Sequence, residues 1–459
     1  MRYLKDDDIA ALSTALGMSA IAVIRLSGKN SFNIINKIFH PRSKNRKKQV
    51  QHGHIVHNNR IQDDVLCTFF KAPDTYTGEN LVEISVHGNP LIIKSVLNLL
   101  YLNGARAAEP GEFTYRAFLN GKMDLLEAEA VCSLIRSQNN IATSLAINNL
   151  TKKFSNKIKH ILKVVINLLT FIEANLDHPE DDLELLSKNQ KENKIDCCIK
   201  SIKDLLNSYN TNIHLQHSYK VIFIGKPNSG KSSIFNAILG KDRSIVTDIA
   251  GTTTDTIDAS LEYKGYLLTF IDTAGLNNSV KNFIEHLGQQ KTIETLNKAN
   301  LIIWVCDISL QFDANDENIL KIIKLYKKQN VPVIALLNKS DLKPILSSNK
   351  IYSIYPKLVN VFTISAKTGL HVSKLLDSVM DIISNINFDL NNSVMVNERQ
   401  HILLQSVLQS LCSIKKIINC DEIVCFHLMN IKEKLNEILG IKIQQDILEN
   451  IFNKFCIGK

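Results

Sequence analysis

Several features are scarce in this chain, and each scarcity excludes something. Its nine cysteines contain no C-x-x-C pair, and Cys197 and Cys198 stand side by side. A disulfide framework or zinc ribbon is therefore not indicated, and the cysteines read as reduced thiols in core and helix-surface positions. No apolar run approaches the ~20 residues that a membrane-crossing helix needs. Met1 to Asp8 holds three aspartates and no apolar stretch, unlike a secretory leader, so a cytoplasmic location is expected. The net charge of +9 permits a nucleic-acid partner without demanding one. The 459 residues suit about three domains at ~150 residues each.

Glycine and proline are scarce in a patterned way. Residues 1–121 hold eight glycines and four prolines, with strand-like runs at 20–26 and 81–86. Residues 122–224 hold no glycine and one proline, Pro179. Their apolar residues recur at helical spacing, as in Ile158, Ile161, Leu162, Val165, Leu168, Leu169 and Ile172. Glycines return in 218–385, where strands and helices alternate; 370–439 has none, and Val394 to Phe455 again reads helical. Two helical segments flanking an α/β segment suggest one discontinuous helical domain with an α/β domain inserted into it. The expected fold class is multidomain, α/β plus all-α. Its divisions are 1–121, 122–217, 218–385 and 386–459.

The central segment carries the chemistry. Gly225-Lys226-Pro227-Asn228-Ser229-Gly230-Lys231-Ser232 reads G-x-x-x-x-G-K-[ST], a phosphate-binding loop. Val221 to Ile224 suits a buried strand before it, and Ser233 to Leu239 suits a helix after it, stopped by Gly240. Loop N–H groups would cradle phosphates, Lys231 would reach the β/γ-phosphates and Ser232 would hold Mg²⁺. In Thr247-Asp248-Ile249-Ala250-Gly251-Thr252-Thr253, Thr253 is the candidate to complete the Mg²⁺ shell. Asp272-Thr273-Ala274-Gly275 is D-x-x-G at a strand end, where the aspartate meets Mg²⁺ and the glycine N–H meets the γ-phosphate. Asn338-Lys339-Ser340-Asp341 is N-K-x-D, whose carboxylate accepts from guanine's ring N–H and exocyclic amine. Adenine lacks that donor pair, so GTP is selected. Ser365-Ala366-Lys367 would support the base. Each motif is weak alone, but four in this order define a GTP-binding domain.

One catalytic part is missing. Ras-like proteins orient water with a glutamine after D-x-x-G, but here Leu276 follows, and no arginine stands nearby. A monovalent cation can supply the charge if oxygens are offered. Asn228, the carbonyls of Thr247 and Ile249, and Thr252 are candidates; a plain loop role for Asn228 is the alternative.

These residues resemble the MnmE (TrmE) family of tRNA-modification GTPases over essentially the whole chain. Asn228 and the 247–253 segment are similar to its potassium signature. The ending Phe455-Cys456-Ile457-Gly458-Lys459 is similar to the family's terminal motif, and the runs 24–28, 76–83, 87–88 and 106–122 are similar to its N-terminal motifs. The resemblance implies an N-terminal folate-binding α+β domain, a discontinuous helical domain and an inserted Ras-like P-loop G domain. It implies a homodimer and a heterotetramer with the flavoprotein MnmG, in which FAD sits only in the partner. Together they would place an aminomethyl or carboxymethylaminomethyl group on carbon 5 of a tRNA wobble uridine. The one-carbon unit would come from a tetrahydrofolate derivative, 5,10-methylene or 5-formyl. Arg25, Glu83, Lys122 and Lys459 resemble folate-contacting residues; Lys459 must fold back to reach them, across a dimer or within one chain. Glu285 resembles the catalytic glutamate that orients water, against the plainer reading of a solvated helix carboxylate. Cys456 is either a functional thiol or a small buried residue.

The chain departs from the family at Gly17-Met18-Ser19, where a Gly-Arg-Gly run is usual, and at Thr254, where the switch carries arginine. His52, His54 and His57 form H-x-H-x₂-H, but on a strand only the first two share a face, so a hydrogen-bonded surface is expected rather than a metal site. Lys44-Asn45-Arg46-Lys47-Lys48 reads as a solvated loop, with tRNA contact the sharper alternative. A rival class, an RNA-binding GTPase switch, would need an added module such as a G-x-x-G loop. The glycine-free 370–439 segment argues against it.

Overall fold

The computed structural model describes residues 7–43, 48–177, 187–216, 218–241, 257–272, 296, 299–325, 331–384 and 393–458. The chain divides into two compact units, Met1–Arg136 with Ala146–Asn207 and Val394–Lys459, and Ser137–Leu145 with Ser208–Ser393.

The first unit opens with strands β1 (Ile9–Leu12), β2 (Ser19–Ser27), β3 (Phe39–Pro41), β4 (Val50–His57), β5 (Arg60–Phe70), β6 (Leu81–Gly88) and β7 (Arg106–Ala107). They form one sheet in the order β3-β4-β5-β6-β2-β1-β7. The β4–β5 hairpin turns on Asn58 and Asn59, both left-handed at φ 48° and 61°. A type I′ turn needs that conformation at both central residues, and asparagine tolerates it. The helix Pro90–Leu102 covers the sheet; Asn89 caps it by accepting from Leu91 N at 2.8 Å, and proline at the first turn forfeits no bond. Its Ile93, Val96 and Leu100 join Ile24, Leu26, Ile84 and Val86 in one core.

The helical segments on either side of the second unit belong to one body. Asp421–Leu439 packs against both Lys153–Asp177 and Glu398–Lys416. Buried Asn149 makes a reciprocal pair with the returning backbone, donating Nδ2 to Met395 O at 2.6 Å and accepting from Met395 N at 3.2 Å. Asn397 and Gln400 form a capping box at the start of Glu398–Lys416. The Glu129 carboxylate gathers Asn397 Nδ2, Arg399 Nη2 and Gln400 Nε2 at 2.9, 2.9 and 2.6 Å. The discontinuous helical domain expected from the glycine pattern is therefore present.

The second unit is built on strands β8 (Tyr219–Gly225), β9 (Ile257–Tyr263), β10 (Tyr266–Asp272), β11 (Leu301–Asp307), β12 (Val333–Asn338) and β13 (Asn360–Thr363). The order is β13-β12-β11-β8-β10-β9, parallel except for β9. β11 and β12 are buried along their whole length, which is why they read as unbroken apolar runs. β8 lies between β11 and β10, so the chain leaves it in one direction and later returns in the other. The crevice at such a switch point, beyond the carboxyl ends of the strands, is where α/β sheets bind ligands. The phosphate-loop helix spans Lys231–Lys241, so Gly240 lies inside it and does not end it.

Candidate functional site

The carboxyl ends of β8, β10, β11 and β12 bring the motif residues together. In the phosphate loop Asn228 and Gly230 are left-handed, at φ 64° and 93°. A Cβ on Gly230 would lie 2.1 Å from Asn338 Nδ2, so glycine is required on space as well as on conformation. Lys231 Nζ donates to the carbonyls of Gly225 and Lys226, each at 2.9 Å. Burial lowers its pKa, with the Asp272 charge working the other way. Ser232 Oγ donates to Asp272 Oδ2 at 2.7 Å, so the hydroxyl of the loop and the carboxylate of D-x-x-G face one another. Ser229 is buried and its Oγ has no partner among the described residues. Asn228, Ser232 and Ser233 are exposed.

The second half of the site gathers the N-K-x-D residues and Ser365-Ala366. Asn338 donates to Ser229 O at 2.9 Å and accepts from Ala366 N at 3.1 Å, so it is held from both sides. Ser365 Oγ donates to Asp341 Oδ1 at 2.6 Å. That hydrogen bond, helped by Lys367 and Lys339, holds the Asp341 carboxyl below its usual range and ionised. Lys339, left-handed at φ 65°, places its Nζ 2.5 Å from Asp307 Oδ2. Asp307 and the Lys226 partners Asp313 and Asp316 had no motif to announce them. The one available signal for Asp307 was its position at a strand end.

Thr247, Asp248, Ile249, Ala250, Gly251, Thr252, Thr253, Thr254, Thr273, Ala274, Gly275, Leu276, Glu285 and Lys459 lie outside the described residues, as do Lys44 to Lys47.

On the first unit, Arg25 and Glu83 stand opposite each other on β2 and β6, with Arg25 Nε donating to Glu83 Oε1 at 2.9 Å. The Arg25 guanidinium lies 5.2 Å above the Tyr76 ring centre, and its enclosed Nη1 has no partner among the described residues. Exposed Lys122 comes beside the Thr77–Glu79 loop: a Cβ on Gly78 would sit 3.4 Å from its Cγ. The chain end folds back within the same chain. Ser13 Oγ donates to Gly458 O at 3.1 Å, and Gly111 N donates to Cys456 O at 3.3 Å. Gly458 is left-handed at φ 87°, and a Cβ there would meet Leu12 O at 2.0 Å. Cys456 is exposed, so the reading of it as a small buried residue is corrected: its backbone, not its side chain, does the docking. His52 Nε2 and His54 Nδ1 both approach Asp64 Oδ1, at 2.9 and 3.3 Å. Among the described residues no histidine, cysteine and carboxylate group is arranged to hold a metal.

A phosphate loop at the sheet's switch point, a hydroxyl–carboxylate pair beside it and the aspartate of an N-K-x-D motif define a P-loop GTPase. Residues 8–122 match the family described as GTP-binding protein TrmE N-terminus, and residues 125–456 match the MnmE helical domain. The chain belongs to the MnmE (TrmE) family. It is 53% identical over the full length of both chains to the tRNA modification GTPase MnmE of Endomicrobium trichonymphae. It is 36% identical to proteins of the same name from Clostridioides difficile and Carboxydothermus hydrogenoformans, over 99% of this chain in each case. No helix among the described residues is long and apolar enough to cross a membrane.

Proposed function

We propose that this protein is a potassium-dependent GTPase of tRNA modification, working in the cytoplasm. With the flavoprotein MnmG it adds an aminomethyl or carboxymethylaminomethyl group to carbon 5 of the wobble uridine, taking the one-carbon unit from folate. The observation that carries the reading is the end-to-end match to a tRNA modification GTPase at 53% identity. Residues 1–121 form the folate-binding and dimerisation domain, 122–217 and 386–459 the helical domain, and 218–385 the G domain.

In the G domain, Lys231 leaves its two carbonyl partners for the β/γ-phosphates, and Asp341 with Asn338 holds guanine. Ser232, Thr253 and Asp272 offer hard oxygens suited to Mg²⁺. Asn228, Thr247, Ile249 and Thr252 offer neutral oxygens suited to K⁺. A bound cation supplies transition-state charge that neither Leu276 nor a local arginine can. Glu285 orients the attacking water. Arg25, Glu83, Lys122 and Lys459 hold the tetrahydrofolate derivative, and the unsatisfied Arg25 Nη1 supports this by offering a donor to an anionic or carbonyl group. Exposed Leu16, Met18, Ile21 and Leu91 near an apolar groove of about 710 Å³ support a homodimer through the N-terminal domain.

The test is nucleoside analysis of tRNA from a strain lacking this protein. Loss of the modified wobble uridine, restored by the wild-type gene and not by Lys231→Ala, is expected. An unchanged nucleoside profile in the deletion strain would sink the reading. Calorimetry with 5-formyl-tetrahydrofolate tests the N-terminal part: binding by the wild type and its loss in Arg25→Ala are expected.

A further inference from the structure

Lys226, the second residue of the phosphate loop, has its charge held by two aspartates that follow β11, the strand beside β8. Its Nζ lies 2.7 Å from Asp316 Oδ2 and 3.1 Å from Asp313 Oδ2. The Asp316 side chain is 4% exposed and that of Lys226 12%, so this is an enclosed ion pair rather than a solvated one. The two aspartates also build the start of the helix Ala314–Leu325. Asp313 Oδ1 accepts from Asn315 N and Asp316 N at 2.9 and 3.2 Å, and Asp316 Oδ2 accepts from Asp313 N at 3.2 Å. Lys226 is thus fastened to a rigid helix start.

Its backbone does a second job. The Lys226 carbonyl accepts from Lys231 Nζ at 2.9 Å and from Ser229 N at 3.3 Å. Two residues of the same loop, Asn228 and Gly230, sit in left-handed conformations. Few residues adopt that conformation as readily as asparagine and glycine, and ordering the loop costs entropy. The ion pair ties this loop to a helix outside it.

We propose that the Lys226–Asp316/Asp313 clamp is a positioning device of the GTP site, which holds the phosphate loop open for the β/γ-phosphates before nucleotide arrives. Burial acts to lower the Lys226 pKa, yet the two carboxylates outweigh it and the net direction is up, so Lys226 stays charged. The clamp acts by preorganisation: it spares nucleotide the cost of ordering the loop. The inference rests on the GTPase reading.

The experiment measures mant-GDP affinity of the full-length protein by fluorescence, with thermal melting alongside. Lys226→Met removes the cation and leaves buried Asp316 unpaired, which can destabilise the fold. The double variant Asp313→Asn/Asp316→Asn removes the charges while amide oxygens preserve the helix start. Both are expected to weaken mant-GDP binding tenfold or more. The triple variant should bind no worse than either, since one clamp is broken in all three. Lys226→Arg should stay within about threefold of wild type, a rescue that a mere volume requirement would not select over Lys226→Met. Unchanged affinity in the double aspartate variant, or additive losses in the triple, would overturn the clamp. Absence of mant-GDP binding by the wild type would instead overturn the GTPase reading.

Discussion

Asn338 donates its side-chain N–H to the carbonyl of Ser229 across 2.9 Å, joining the base-reading loop to the phosphate loop. The same amide accepts from Ala366 N. One buried side chain therefore fixes the spacing between the N-K-x-D loop and the phosphate loop. Asn338→Ala strips a partner from both backbone groups, at about 1–3 kcal/mol for each unsatisfied group. A fall in mant-GDP affinity of roughly 30-fold or more is expected. Affinity within threefold of wild type would show that the link is idle.

The proposed role of Asp341 is to select the base. Asp341→Asn replaces a double acceptor by an acceptor and a donor, which no longer matches guanine but matches the 2-carbonyl of xanthine. Competition against mant-GDP should show GDP affinity falling and XDP affinity rising, so that their order reverses; retained preference for GDP would contradict the assignment.

The Ser365 hydroxyl sets the acid limit of that recognition. It holds the Asp341 carboxyl below its ordinary range. Stabilisation from such a bond is present above the unfolded-state pKa of ~3.9 and is lost as pH falls through the lower folded value. Ser365→Ala removes the donor and raises the Asp341 pKa. The acid-side loss of mant-GDP binding should then move to higher pH. A binding profile that overlays on wild type would show that the hydroxyl does not tune the carboxylate.

Asn149 tests the closure of the helical domain. Its two bonds to Met395 are buried and bridge segments that are distant in sequence. Asn149→Ala leaves one N–H and one C=O unsatisfied, and a loss of about 2–4 kcal/mol is expected in urea unfolding. Nucleotide affinity should be unchanged, because no group of the site is touched. Unaltered stability would mean that water replaces the amide.

The legible parts of the sequence were those where chemistry or backbone geometry admits few residue types. A phosphate loop needs glycine where Gly230 meets Asn338, and a guanine reader needs a carboxylate at Asp341, so both stood out as motifs. The absence of glycine between 122 and 224 exposed the helices for the same reason. Partners that meet only through the fold were not legible. Asp316 lies 90 residues from Lys226, and any of the acidic residues nearby could have paired with it on sequence grounds. Asn58-Asn59 is a weaker hairpin signal than Asn-Gly, because the second asparagine carries a Cβ into the left-handed region where glycine has none. The seat of the chain end was not legible either: Gly458 meets Leu12 and Ser13, and Cys456 O accepts from Gly111 N, through the fold alone.

The cation assignment carries the sharpest consequence for catalysis. Asn228 is exposed and left-handed at φ 64°, so its side chain is not spent in the core and its conformation is one that asparagine adopts more readily than most residues. If its amide oxygen ligates the cation, GTP turnover should be at least tenfold faster in potassium than in sodium, because a loop spaced for the larger ion cannot close round the smaller one. Asn228→Ala should lower the potassium rate to the sodium rate while leaving mant-GDP affinity within about threefold, since the phosphate-binding N–H groups remain. Asn228→Asp keeps an oxygen in place and should retain part of the acceleration. Equal wild-type rates in the two salts would remove the cation from the mechanism. Alanine scanning of the lysines and of Arg243, the one arginine, in the segments 242–256 and 273–295 would then test whether a side chain supplies the charge, read as a loss of turnover without loss of mant-GDP affinity.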